Sequence, residues 1–354
     1  MMMFGKYDEF VFHGLGLFKS LLRWATFLLR TAWAEWWYRE DFSLTPRRIV
    51  IFTTYSILIT LLMIWNHIGF ALDNIFFHGW DKTEIIKPLF VVGNARSGTT
   101  WLHRLITTNT ARFTTLKTWE IVFAASITWR LLFFTLYNID LIWLRGMGYS
   151  FIQKIENILL GEPSIRHKSV HPVGLMEAEE DEWLMLHVAY AQLTLFFYPL
   201  GCGLRGSLIT FDCPNLCGKS DTSNSLSYIV KREIFQYYKK CVQKHMFFHT
   251  HYQFRHTTGT KKSLIFVSKN PTFTLRIPSI YEAFPDARIV CMLRDPVQSI
   301  PSMISYIAKV MYMMRRILYI IDICVCKVVL YTLVFYYYIT FVNICVYTYN
   351  TTVL

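Results

Sequence analysis

The chain has 354 residues, 53% of them hydrophobic and only 17% charged, with a formal net charge of +12. A soluble domain carries about a quarter charged residues, so part of this chain is expected in or on a membrane, and its positive balance suits an anionic partner such as a nucleotide, an acidic polymer or lipid headgroups. No Lys/Arg-rich recognition segment is present, which argues against nucleic acid. The eight cysteines are irregularly spaced; Cys213 and Cys217 form a single CxxxC with no second pair nearby, which argues against zinc.

Residues 1–48 mix aromatic and basic side chains. Lys19, Arg23 and Arg30 share one helical face, Phe12, Leu15 and Leu22 add apolar contacts, and Trp33, Trp36, Trp37 and Tyr38 follow as an aromatic belt. Two readings stay open: a helix in the membrane interface or an amphipathic helix packed on a domain. The run from Ile49 to Leu72 contains no Lys, Arg, Asp or Glu. It is long enough to cross a bilayer, for which about 20 residues suffice. Arg47 and Arg48 precede it, and Asn66 to Trp80 holds no Lys or Arg. The positive-inside rule therefore predicts an uncleaved single-pass anchor with a cytoplasmic N-terminus. A buried pair of core helices is the alternative.

After the connector Lys82–Pro88, the stretch from Leu89 to Trp101 reads LFVVGNARSGTTW. Four apolar residues predict a buried strand. Gly93 and Gly98 then allow a tight turn, and a helix starts near Thr99–Thr100. A strand, a glycine turn and a helix N-terminus make an anion site, because free N–H groups and the helix dipole point at the ligand. The spacing matches a phosphate loop, but Thr99 stands where the lysine belongs. The fixed positive charge inside the turn is Arg96.

Trp101, Leu102, Leu105 and Ile106 fit a helix packed on that strand. Residues 127–160 carry apolar positions at helical spacing and read as core, interrupted at Gly146 and Gly148. Between 161 and 187 the chain gathers Glu162, His167, His171, Glu177, Glu179, Glu180, Asp181, Glu182 and His187. Such a run reads as a solvated helix face, with a polar acceptor cleft lined by His171 and Glu177 to Asp181 as the alternative. Leu264–Val267 and Ala287–Leu293 predict two further strands, ending at Ser268-Lys269-Asn270-Pro271 and Arg294-Asp295-Pro296. Three apolar runs, each followed by a helical segment, predict an α/β fold: a P-loop-like parallel sheet flanked by helices, behind an N-terminal transmembrane helix. Ligands bind such sheets beyond the C-terminal strand ends, where Arg96, Lys269 and Arg294 lie. Residues 308–354, charge-free from Val328 onward, are either a second span or a non-native tail. The predicted organisation is 1–48, a 49–72 anchor, an 82–307 domain and the 308–354 tail.

Arg294 precedes a helix opening at Pro296, and Ser302 lies eight residues beyond it. A guanidinium and a hydroxyl near a helix N-terminus suit a second phosphate. Together with the glycine loop, these residues resemble the sulfotransferase superfamily. Phe90–Thr100 is similar to its 5′-phosphosulfate loop, and Arg294 with Ser302 to its 3′-phosphate pair. Trp119-Glu120, the acidic run 177–182 and Ser268–Pro271 resemble the branch that includes bacterial and Golgi-type enzymes. The similarity runs from about residue 86 to 307. Donor-binding residues that the family carries further downstream have no visible counterpart, so a catalytically impaired, truncated member is the first alternative and a phosphate-loop kinase or NTPase the second.

The resemblance implies a membrane-bound, Golgi-type enzyme that uses 3′-phosphoadenosine-5′-phosphosulfate (PAPS) as donor, without a metal, and sulfates a hydroxyl or amine. A glycan is the first choice of acceptor, with a glycolipid, a protein tyrosine or a small alcohol behind it. It further implies that Arg96, Ser97, Gly98, Thr99 and Thr100 hold the 5′-phosphosulfate, with Arg96 also offsetting charge on the bridging oxygen. Arg294 and Ser302 would grip the 3′-phosphate, and Lys269 would contact the donor. Glu120 is the implied catalytic base, with His167 and His171 in reserve.

Overall fold

A computed structural model of the protein describes residues 16–37, 46–160, 174–190, 226–253 and 264–306. The tail 308–354, the reserve histidines His167 and His171, and the Cys213–Cys217 pair lie outside these. Strand β1 (Leu89–Gly93) is central. Phe90, Val91 and Val92 are all fully buried, as a strand covered on both faces of a parallel sheet must be. It pairs in parallel with β3 (Ile265–Lys269) on one side and β4 (Arg288–Met292) on the other, and β2 (Phe113–Thr114) adds to β3, giving the order β2-β3-β1-β4.

The register sets Val91 opposite Lys269 and Gly93 opposite Met292. The C-terminal ends of β1, β3 and β4 therefore share one rim. Helix α3 (Thr99–Thr107) leaves that rim after β1, and α4 (Thr118–Phe123) follows β2. The long α7 (Leu226–Phe248) packs Ile234, Tyr238 and Val242 into the core, where the Phe90 ring meets those of Phe273 and Phe284 at 6.2 and 5.4 Å. A 3-10 turn (Pro271–Arg276) and α8 (Ile277–Ala283) connect β3 to β4, and a final helix, α9, covers 296–306. The expected parallel α/β sheet with flanking helices is what forms. One detail differs: the two-residue β2 is too short to leave a pattern in the sequence. β4, at the edge of the described sheet, is partly exposed.

Helix α1 (Leu17–Trp37) packs against the helix that follows it and against the 3-10 turn Asp181–Val188. Trp24 is buried, with Nε1 donating to Thr60 Oγ1, and the buried Arg23 donates to the carbonyl of Val188. Helix α2 runs from Pro46 to Phe76 and is long and apolar enough to cross a membrane over Phe52–Phe76. Its second half is welded to the α/β domain. Asp73 accepts from the N–H groups of Ile127 and Thr128, capping α5 (Ile127–Trp143), and pairs with Lys244 of α7 at 2.9 Å. Asn66 Nδ2 donates to the carbonyl of Val122 and meets His187 Nδ1 at 3.3 Å. Since His187 Nε2 faces the carbonyl of Ile121 at 2.8 Å, that nitrogen carries the proton and Nδ1 accepts. Helix α6 (Met147–Leu160) then turns back from α5.

The acidic run is not a solvated face. Glu179, Asp181 and Glu182 are buried. Such burial requires partners, and they come from distant segments. Lys269 Nζ pairs with Glu180 at 2.7 Å and Glu179 at 3.8 Å, and the Tyr238 hydroxyl donates to Asp181.

Candidate active site

The turn after β1 is shaped by three left-handed residues, Gly93 (φ 138), Arg96 (φ 68) and Gly98 (φ 96). Gly93 has no alternative, since a Cβ there would collide with the carbonyl oxygen of Met292 on β4. The turn closes with the Ser97 N–H donating to the carbonyl of Asn94 at 3.1 Å, and α3 begins directly behind Gly98. The first N–H groups of a helix have no acceptor within it, and here they open onto the strand rim. Ser97 Oγ is buried with no hydrogen-bond partner among the described residues. An orphaned hydroxyl inside an N–H-lined turn fits an incoming phosphate or sulfate oxygen.

Arg96 points across the rim. Its Nε donates to Ser302 Oγ on α9 at 3.2 Å, its guanidinium lies 5.4 Å from the centre of the Tyr306 ring, and its carbonyl accepts from Arg294 Nη1 at 3.1 Å. Arg96, Arg294 and Ser302 are thus brought together by the parallel pairing of β1 with β4. Burial lowers the pKa of Arg96, Tyr306 raises it and the Arg294 cation lowers it again, which leaves it a cation at any working pH. Thr99 is buried at the helix start with Thr100 beside it.

Lys269 is only 1% exposed, and its ammonium is turned onto Glu180 and Glu179. Glu180 belongs to the site's surroundings: burial, helped by Glu180 and Glu179 and opposed by Arg96, pushes the Tyr306 phenol up to about 12. Sequence reasoning missed Glu180 as an individual residue, and only the Lys269 contact across 89 positions singles it out.

Glu120 sits in a different environment from that expected of a general base. It is 4% exposed, and Oε2 caps α4 by accepting from the Lys117 N–H at 2.8 Å. Oε1 lies 3.8 Å from Arg130 Nε, 3.7 Å from His245 Nδ1 and 3.8 Å from His249 Nε2. Burial alone would raise its pKa, but Arg130 and the two histidines overcome that and hold the carboxyl well below the usual range. Glu120, His245 and His249 offer ligand atoms within 4.8 Å of one another, a grouping of the kind that holds metals. Here, however, the Arg130 guanidinium donates to His245 Nδ1 at 2.9 Å while Nε2 meets Thr114 Oγ1 at 2.9 Å. Both ring nitrogens are engaged and a fixed cation occupies the cluster, so the chemistry is that of a buried ion pair.

Comparison with known proteins adds the following. The family model described as the sulfotransferase family matches residues 219–324. Among solved structures, the chain is similar to sulfotransferase STF9 from Mycobacterium avium, at 18% identity and a TM-score of 0.48, over 74% of this chain and 55% of that one. It is also similar to sulfotransferase STF1 from Mycobacterium tuberculosis, at 15% identity and a TM-score of 0.42, over 73% of this chain and 59% of that one. The chain therefore spans little more than half the length of either. No curated protein matches. The stretch 219–324, which holds β3, β4, Arg294 and Ser302, is thus similar to the sulfotransferase family.

Proposed function

We propose that this chain transfers a sulfuryl group from PAPS to a hydroxyl, or an amine, of an acceptor substrate. The observation that carries this reading is the convergence of Arg96, Arg294 and Ser302 on one rim, with Arg96 Nε 3.2 Å from Ser302 Oγ and Arg294 Nη1 3.1 Å from the Arg96 carbonyl. Two groups suited to separated phosphates, at the ends of adjacent strands, fit a 3′,5′-bisphosphorylated donor better than ATP. The absence of a lysine at Thr99 points the same way.

In this reading the N–H groups of Arg96 to Thr100, with the hydroxyls of Ser97, Thr99 and Thr100, bind the 5′ end. Arg294 and Ser302 bind the 3′-phosphate. The bound donor supplies an activated sulfuryl group on a phosphate leaving group. Arg96 places a fixed cation where negative charge builds on that leaving group. This electrostatic preorganisation is the main contribution a protein can make to such a transfer. Glu180, held by Lys269 Nζ at 2.7 Å and acting electrostatically on Tyr306, whose ring lies beside Arg96, is the carboxylate to which we assign the acceptor proton. Glu120, locked to Arg130, positions α4. A glycan is the first acceptor class, followed by a glycolipid, a protein tyrosine or a small alcohol. In this reading the domain lies on the non-cytoplasmic side of a Golgi membrane, an orientation supported by Arg47 and Arg48 in the first turn of α2, ahead of its apolar run.

The test compares binding of 3′-phosphoadenosine-5′-phosphate and ATP·Mg to the full chain, followed by transfer of labelled sulfate to a glycan panel. Preference for the bisphosphate and transfer that is lost in Arg96→Ala are expected. Tight ATP·Mg binding without a 3′-phosphate preference would overturn the reading in favour of an NTPase. Bisphosphate binding with no transfer to any acceptor class would leave a non-catalytic relative.

A further inference from the structure

Helices α2, α5 and α6 are built inside out. On α2 the polar side chains Ser56, Asn66, His67 and Asp73 are buried, while Ile57, Leu58, Leu61, Trp65 and Ile68 face outward. On α5 the buried positions include Arg130 and Asp140, and Leu136, Ile142 and Trp143 are exposed, the last at 80%. On α6, Phe151 and Ile158 are exposed as well. A helix on a water-soluble surface shows the opposite arrangement, and a contiguous apolar surface of this extent marks an interaction site.

The three helices form one surface. The Trp65 and Trp129 rings stack at 3.9 Å, joining α2 to α5, and Phe123 and Phe133 line a shallow groove with Leu58, Leu61 and Ile68. Their polar handles turn inward: Trp129 Nε1 donates to the carbonyl of Trp65, and Trp65 Nε1 to that of Phe123. Between α5 and α6 the chain bends by 115°. The bend is sealed from within by Asp140, whose carboxylate accepts from the N–H groups of Gly148 and Tyr149 at 2.8 and 2.9 Å and whose carbonyl accepts from Leu144 and Gly146. From Leu131 to Leu144 this self-contained Asp140 is the sole charged residue. Backbone groups satisfied internally at a turn are what a lipid environment demands and water does not.

We propose that the α5–α6 hairpin enters the same bilayer as α2, so that the domain is seated on the membrane by a broad apolar face and is not suspended from a single helix. Two features favour lipid over a protein as the occupant. The face is continuous with α2, the helix of membrane-crossing length. The bend between α5 and α6 also satisfies its own backbone N–H groups through Asp140. This inference rests on the helices alone and does not depend on the sulfotransferase reading.

The test places the photoreactive residue p-benzoylphenylalanine at Trp143, at Phe151 or, as a reference, at Val297, which is 79% exposed beyond β4. The full chain is reconstituted in phosphatidylcholine vesicles containing phosphatidylserine, and separately expressed in cellular membranes. Lipid adducts in several-fold excess at positions 143 and 151 over position 297 are expected in both settings. Adducts to another protein in cellular membranes would overturn the proposal in favour of a protein partner. Equal labelling at all three positions, or no lipid adduct at 143 and 151, would overturn it in favour of a water-exposed hairpin.

Discussion

Arg96 Nε lies 3.2 Å from Ser302 Oγ, although the two residues are 206 positions apart. The contact exists because β1 and β4 are adjacent and parallel, so the turn after one strand faces the helix after the other. Arg294 Nη1 also reaches the Arg96 carbonyl, so support of the turn has to be separated from the proposed binding of a 3′-phosphate. A charged hydrogen bond contributes about 1.5–3 kcal/mol, or roughly 10- to 100-fold in affinity. Arg294→Ala and Ser302→Ala are expected to weaken 3′-phosphoadenosine-5′-phosphate by about that factor and to leave adenosine-5′-phosphosulfate unchanged, as read by calorimetry. An equal loss for both ligands would mean that Arg294 acts through the turn.

Glu120 and Arg130 are both sealed from water, at 5% and 1% side-chain exposure. Removing one partner of a buried pair costs about 3–5 kcal/mol, because the other charge is left uncompensated. Glu120→Gln is therefore expected to lower stability to urea by that order. Glu120→Leu combined with Arg130→Met should recover much of the loss. If Glu120→Gln instead keeps its stability and loses sulfate transfer, Glu120 contacts the substrate after all.

The two stretches proposed to bind phosphate stand out in the sequence because their information is local. An apolar run, a glycine turn and a helix start lie within thirteen residues from Leu89 to Trp101, and the Arg294-to-Ser302 spacing is equally compact. The acidic run was misread because its partners are remote: Lys269 is 89 positions from Glu180 and Tyr238 is 57 from Asp181. Composition around Glu179–Glu182 reads as a solvated face until those partners are seen. The same holds for α2, where the apolar run was visible but not the Asp73–Lys244 weld that draws its second half onto the domain.

Gly93 joins the fold to the site. Its φ of 138° and the Met292 carbonyl facing the missing Cβ leave no room for a side chain. Gly93→Ala is expected to push β1 away from β4, costing about 1–3 kcal/mol, and to weaken both the bisphosphate and adenosine-5′-phosphosulfate, since the whole turn shifts. Thermal unfolding and ligand titration on the same sample measure the two effects. Unchanged stability with unchanged binding would mean that β4, at the sheet edge, yields freely.

Asp181 makes stability depend on pH in a direction unusual for a carboxylate. Burial pushes its pKa from 3.8 up to about 7, against the lowering effects of hydrogen bonds from Tyr238 and Ser268 and of the Lys269 charge. A raised folded-state value means that the native protein holds the proton more tightly than the unfolded chain does. Its contribution is then complete below the unfolded value and lost as the pH climbs through about 7. Asp181→Asn keeps the shape without the charge, and the Tyr238 hydroxyl can still donate to the amide oxygen. The variant is expected to match the parent, or fall slightly below it, on the acid side of this window and to exceed it on the alkaline side. Urea denaturation of both proteins on either side of the window reads the difference. Parallel stability profiles for parent and variant would show that Asp181 stays ionised throughout, with Lys269 as its compensating charge.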